Sequence, residues 1–178
     1  MYGPSVYPYQ PKGLWLSPYN GRDWVNSEGD DQYRRAVYTY WKRSAPYPSM
    51  VNFDGVARNV CTSRRIRTNT PLQALTTLND SAYIDMARHY AKRVQAEAGE
   101  NVKQQISKAY ALATYHPIDD KSLSALEELY TIAYNRFEED AEKTRKFLGG
   151  RNENDPKTAA MVVVTNALLN LDEVVTRN

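Results

Sequence analysis

The chain has 178 residues, 25% of them charged, with a formal net charge of +2 and a mean hydropathy of −0.69. That length supports a domain with its own core, able to bury roughly 70% of its unfolded surface without a disulfide or metal staple. No apolar run approaches the roughly 20 residues that span a bilayer, Met1–Pro8 lacks the basic and apolar regions of a signal peptide, and the single cysteine, Cys61, excludes an internal disulfide, a multi-cysteine metal centre and a Cys-x-x-Cys-His haem attachment.

Residues 1–30 read as an extended arm. Prolines at 4, 8, 11 and 18 rule out a regular helix, because each fixes φ, lacks an N–H and disfavours helix in the residue before it. A polyproline-like strip ending in Gly13-Leu14-Trp15 is the expectation. Tyr2, Tyr7, Tyr9, Tyr19, Trp15 and Trp24 are too many rings for a disordered tail. The arm therefore packs on this chain's own core or on a partner.

Asp30-Asp31 suit the positive end of a helix, and Tyr33, Val37, Tyr40 and Trp41 fall at helical spacing, which predicts a helix over 32–43 with that face inward. Pro46 and Pro48 stop it. Residues 47–59 read as irregular, with Asp54-Gly55 as a turn.

The strongest local signal follows. Thr70 is an N-cap, Pro71 fits the first helical position and Gln73 completes a capping box. The helix it opens has Leu72, Leu75 and Leu78 as its apolar stripe and ends at Asn79-Asp80. Asp80 caps the next helix, Ser81 to about Ala98, with Tyr83, Ile84, Ala87, Ala91 and Val94 inward and Gly99 as its stop. Asn101 starts another through Val102, Ile106, Ala109, Tyr110 and Ala113, ending before Pro117. Asp119 or Asp120 caps one long helix closing at Gly149-Gly150. Asp155-Pro156 starts the last, with Ala160, Val163, Val164, Ala167, Leu168 and Leu171 as its buried face. The predicted fold is all-α: an irregular helical domain, 31–178, behind an extended Pro/Tyr-rich arm, 1–30.

Charge is segregated. From Arg34 to Arg67 there are eight basic residues and one acid, Asp54, whereas 68–178 holds 13 basic against 16 acidic residues. Such asymmetry suits an anionic partner or the chain's own acidic helices. The candidate anion or ligand site is Arg64, Arg65 and Arg67 beside the helix start at Thr70, where bidentate guanidinium groups meet unpaired N–H groups. The competing reading pairs these arginines with Asp54, Asp80 or Asp85. Trp41, Lys42 and Arg43 interleave aromatic and basic groups as sugar and single-strand binders do, although the same stripe serves packing. Cys61 lies among arginines that favour a thiolate, but neither His89 nor His116 is placed near it as a base. No residue pattern assembles a catalytic constellation, a metal site or a nucleic-acid motif.

The motifs together resemble a known family: the C-terminal planctomycete-specific domain of unknown function found in cytochrome-linked multidomain bacterial proteins. The matching pieces are Gly3-Pro4-Ser5-Val6, Pro8-Tyr9-Gln10-Pro11, Gly13-Leu14-Trp15, Tyr33-Arg34-Arg35, Tyr38-Thr39-Tyr40-Trp41-Lys42-Arg43, Pro46, Pro48 and Phe53-Asp54. The most specific run goes from Cys61 through Arg64-Arg65-Ile66-Arg67-Thr68-Asn69-Thr70-Pro71-Leu72-Gln73-Ala74-Leu75 to Leu78-Asn79-Asp80, and Leu168-Leu169-Asn170-Leu171-Asp172-Glu173 resembles the closing helix. Residues 99–155 match in helical pattern only.

The resemblance implies an exported, periplasmic or otherwise extracytoplasmic protein, with haem carried on upstream domains and no cofactor in this chain. It implies assembly with those domains or a homo-oligomer, and guesses for the family extend to electron transfer and polysaccharide breakdown. No catalytic residues carry over. Family members have helical sequence before the Gly-Pro-Ser-Val strip, so this chain looks like the C-terminal portion of a larger domain, with an exposed aromatic face near residues 2–24. The functional expectation is a non-catalytic module for domain assembly or ligand presentation. The alternatives are binding of a polyanionic carbohydrate through the arginines and, more distantly, of nucleic acid.

Overall fold

The computed structural model describes residues 3–10, 24–42, 46–56, 61–64, 68–150 and 154–175. The fold is all-α, with eight α-helices among these residues and one isolated backbone bridge, Val6 to Thr39. No described helix is long and apolar enough to cross a membrane. The chain forms two compact units, Met1–Thr68 and Asn69–Asn178.

The second unit is built around α7, Pro156–Leu169, which packs against α3 (Ser81–Ala98), α4 (Val102–Thr114), α5 (Asp120–Glu138) and α6 (Ala141–Leu148), and also touches α2 (Pro71–Asn79) and α8 (Asp172–Val175). Five successive residues of α7, Thr158 to Val162, are buried, as are Val164, Thr165 and Leu168. A helix buried on nearly all sides has no polar face. The expected single inward stripe is therefore too narrow, since Met161 and Val162 are wholly buried beside Ala160 and Val164. The partners are those the spacing predicts: Ala87, Ala91 and Val94 on α3, Ile106 and Ala109 on α4, Ala133 and Phe137 on α5. Alanines on α3 and α4 keep the helix backbones close, and Thr165 uses the proximity to donate its buried hydroxyl to the Ala87 carbonyl, 2.9 Å away.

Helix starts follow the cap signals. Thr70 and Gln73 form the capping box, and Asp80, Asn101, Asp119, Asp140 and Asp155 each accept an N–H of the first turn with the side chain. One cap was not foreseen. The helix expected to run to Gly149 breaks at Glu139-Asp140, where Asp140 leaves helical geometry and caps α6. Thr144, fully buried, donates back toward the Phe137 and Asp140 carbonyls at 2.7 and 2.9 Å, and Phe147 folds onto Phe137 with ring centroids 5.0 Å apart. Folding α6 back buries Leu148, which a continuous helix would carry away from the core.

The first unit departs further from expectation. In place of a helix over 32–43 there are two 3-10 turns, Gly29–Tyr33 and Ala36–Tyr38, separated by extended backbone at Arg34 and Arg35. Tyr33 and Val37, expected inward, are 55% and 72% exposed. The alternative bonds explain it. Val6 N–H donates to the Tyr38 carbonyl at 2.9 Å and Tyr40 N–H to the Val6 carbonyl at 2.8 Å, while Tyr7 and Tyr40 stack at 5.1 Å. Thr39, Tyr40 and Trp41, β-branched or aromatic, suit this extended pairing. A short helix, α1 (Pro48–Asn52), stands within the stretch expected to be irregular. The turn at Asp54-Gly55 is present: Asp54 has φ +57°, and a Cβ on Gly55 would lie 2.4 Å from the Met50 carbonyl oxygen.

The turn after α6 makes one prediction. Gly149 has φ +76°, and a Cβ there would approach Arg88 Nη1 to 3.1 Å, the guanidinium that holds the Phe147 carbonyl. Gly149→Ala is expected to cost about 1–2 kcal/mol in urea unfolding, and Gly149→Asn less, because asparagine tolerates the left-handed conformation.

Candidate functional site

The sequence candidates are placed as follows. Arg64 and Cys61 are exposed, and the Cys61 thiol is free. Trp41 and Lys42 are half-buried in the first unit. Arg43, Arg65 and Arg67 lie outside the described residues, as do Tyr2, Trp15 and Tyr19 of the arm. Thr70 is occupied: its hydroxyl accepts from Gln73 N–H at 3.3 Å, and its own N–H donates to Gln73 Oε1 at 2.9 Å. The Thr70 hydroxyl and N–H and the Gln73 N–H are thus engaged inside the capping box.

The residues flanking the arginine segment, Thr68 and Asn69, are held by the carboxylates of Asp54 and Asp172. Asp54 accepts from Thr68 N–H at 2.7 Å, with the Thr68 hydroxyl 2.8 and 3.0 Å from its two oxygens, closing a loop that carries Cys61 and Arg64. In the second unit Asn69 Nδ2 donates to Asp172 Oδ1 at 2.6 Å. Further along α2, the buried Thr77 hydroxyl lies within bonding reach of Asn170 Oδ1, and Asn166 Nδ2 donates to the Leu78 carbonyl at 3.2 Å. The Asn69–Leu78 part of the long motif and the closing Asn170-Leu171-Asp172 stretch thus meet through hydrogen bonds. Spacing alone could not reveal this, since about a hundred positions separate Asn69 from Asp172.

On α2 the buried residues are polar and the leucines face outward. Gln73 and Thr77 are buried, whereas Leu72, Leu75 and Leu78 are 59%, 58% and 41% exposed. These positions at i, i+3 and i+6 form one outward apolar stripe on a helix with no charged residue.

Of the arm's described rings, Tyr7 and Trp24 are partly covered. Tyr7 meets Trp24 edge-on at 5.1 Å, Trp24 stacks on Tyr47 at 5.4 Å, and Tyr9 remains about half exposed. His89 and His116 are exposed in the second unit. Among the described residues, no group of three His, Cys, Asp or Glu side chains is placed to hold a metal ion. The titratable groups that stand out are structural. Burial pushes the Tyr90 phenol up to about 12, and its hydroxyl donates to the Ala109 carbonyl. Glu97 is held below its ordinary value by hydrogen bonds first from Arg93 and then from Lys108, tying α3 to α4.

A model of the family PSD1, described as a protein of unknown function (DUF1553), matches residues 1–130. No curated protein and no solved structure matches the chain.

The matched stretch stops within α5 and leaves out α7. A chain ending at residue 130 is therefore expected to lose cooperative unfolding of α3 and α4 by far-UV circular dichroism, which the full chain retains. A second expectation concerns pH. Because the folded Glu97 carboxyl is more acidic than in the unfolded chain, its contribution is complete above the ordinary carboxyl value and is lost as pH falls through the lowered one. Glu97→Gln should flatten that acid limb of stability, read by unfolding between about pH 6 and 3.

Proposed function

The chain belongs to the PSD1 family of proteins of unknown function, and on that premise we propose that it is a non-catalytic helical module that assembles with companion domains. The observation carrying this reading is the division of labour on α2. Polar residues in and beside the helix, Asn69, Thr70, Gln73 and Thr77, are engaged in capping and in bonds to the closing stretch, while Leu72, Leu75 and Leu78 face outward. Apolar side chains held outward on an uncharged helix suit a protein surface: covering them yields about 25 cal/mol per Å² of apolar area. In the proposed setting the partner is an upstream domain of a longer cytochrome-linked protein or a second copy. Haem resides on those companions and not here, and the assembly is exported and extracytoplasmic.

A second reading retains the arginines. Arg64 stands exposed on a loop closed by the Asp54–Thr68 clasp, a placement suited to presenting charge to a polyanionic carbohydrate, with Arg65, Arg67, Lys42, Arg43 and Trp41 as further contributors. Nucleic acid is the more distant anion, and its binding would weaken steeply with salt. Replacing Arg64 and Arg65 with alanine abolishes glycan retention on an affinity gel if this reading holds, and leaves it unchanged if not.

The assembly reading is tested at Leu75. Being exposed, Leu75→Glu should leave the melting temperature within a few degrees while lowering association with the companion domain roughly tenfold or more, because a carboxylate is buried without a partner. Unchanged association, measured by calorimetry or sedimentation, would refute the assembly role of this face.

A further inference from the structure

The extended strip at the start of the first unit lies on its own chain in the manner of a bound peptide. Trp24 Nε1 donates to the Pro8 carbonyl at 2.9 Å, and Tyr47 Oη donates to the Tyr9 carbonyl at 2.8 Å. Between these two donors the Trp24 and Tyr47 rings stack at 5.4 Å, with planes 3° apart. Tyr40 covers the Tyr7 ring, and Ser27 exchanges two bonds with Tyr7: its N–H donates to the Tyr7 carbonyl at 2.7 Å and its hydroxyl accepts the Tyr7 N–H at 2.9 Å.

Indole N–H and phenol O–H groups aimed at successive carbonyls, set among stacked rings, are what an aromatic groove needs to take a proline-rich strand. Such a strand has no internal hydrogen bonds and offers its carbonyls outward. The strip's sequence is of that class, with Pro4 followed by Pro8-Tyr9-Gln10-Pro11.

We propose that Trp24, Tyr40 and Tyr47 form a binding groove for proline- and tyrosine-rich peptide strands, and that the chain's own residues 4–10 are a displaceable strap lying in it. Two features make the strap exchangeable. The side chains of Pro4, Ser5 and Tyr9 are exposed and only those of Val6 and Gln10 are buried, while the Pro4 carbonyl accepts from Arg34 Nη1 at 3.1 Å and the Gln10 N–H donates to Asn26 Oδ1 at 3.4 Å. Gln10 is 6% exposed, yet its Oε1 has no hydrogen-bond partner. A buried acceptor without a donor weakens the seating, so a strand with an apolar residue at this position binds better than the strap itself. The strap persists because it is tethered only 16 positions from Trp24, which gives it a high effective concentration.

The test uses the full chain and a labelled peptide of the sequence Gly-Pro-Ser-Val-Tyr-Pro-Tyr-Gln-Pro. Val6→Asp places a carboxylate where Val6 is 3% exposed and so unseats the strap. It should raise affinity for the peptide roughly tenfold over the unaltered chain. Tyr47→Phe added to it, keeping the ring and removing the donor, should reduce that affinity roughly fivefold. A peptide with methionine in place of the glutamine should bind tighter than the parent. Equal binding of a scrambled peptide, or no gain from Val6→Asp, overturns the proposal.

Should Val6→Asp disturb the unit, hydrogen exchange on the unaltered chain decides the matter. Excess peptide must speed exchange of the Val6 N–H while the Tyr40 N–H stays protected, and no change at saturating peptide refutes displacement. Sedimentation then separates two sources of the strand. A concentration-dependent dimer means that straps exchange between copies, and a monomer that binds the peptide means that a separate protein supplies the strand.

Discussion

The second unit depends on the burial of α7. Four consecutive β-branched residues, Val162 to Thr165, sit in its middle and disfavour helix by up to about 0.7 kcal/mol each relative to alanine. Against this, Met161, Val162, Val164 and Leu168 are wholly buried, and burial of such side chains contributes about 1.5–3 kcal/mol apiece. Packing wins by a clear margin, and the segment is helical although its local preference is for strand. Thr165 is tolerated there because its hydroxyl reaches the Ala87 carbonyl as well as carbonyls of its own helix. α7 and α3 are thereby fixed in register as well as packed.

The first unit solves a different problem. A proline-interrupted strip cannot satisfy its backbone within itself, so its N–H and C=O groups must find partners elsewhere or remain in water. Val6 finds them at Tyr38 and Tyr40, Tyr7 at Ser27, and the Pro8 and Tyr9 carbonyls at side-chain donors. Three described ring contacts, Tyr7–Trp24, Tyr7–Tyr40 and Trp24–Tyr47, add about 0.5–1.5 kcal/mol each beyond their area. Thr39 is extended and the Tyr38 carbonyl and Tyr40 N–H on either side of it serve the strip, which withholds the 32–43 segment from the helix that its spacing suggests.

Where a local signal and the tertiary demand agree, the sequence is readable. Thr70-Pro71-Leu72-Gln73 opens a helix because the cap, the fixed φ and the reciprocal glutamine act within four residues of one another. Ala87, Ala91 and Val94 are buried because period and packing coincide. Legibility fails where a distant partner decides. Glu139-Asp140 looks continuous with its flanks until Thr144 and Phe147 turn back onto Phe137. Tyr33 and Val37 fall on an apolar face that no helix carries. Of the candidate site, the place of Thr70 was legible and its availability was not, since only the structure shows its hydroxyl and N–H already engaged.

The orientation of α2 sets its apolar side chains outward. Turned half a revolution, this helix would place Leu72, Leu75 and Leu78 inward, each with about 1.5–3 kcal/mol to gain from full burial. It is instead held with Gln73 and Thr77 inward, by the capping box, the Asn69–Asp172 bond, the approach of Thr77 to Asn170 and the Asn166 contact at its end. Such hydrogen bonds contribute about 1 kcal/mol each, and more is lost when a buried group is left unpaired. The two orientations are therefore closer in energy than a helix with a buried apolar stripe would allow. Covering the leucines with an apolar surface would remove the deficit without disturbing any of these bonds.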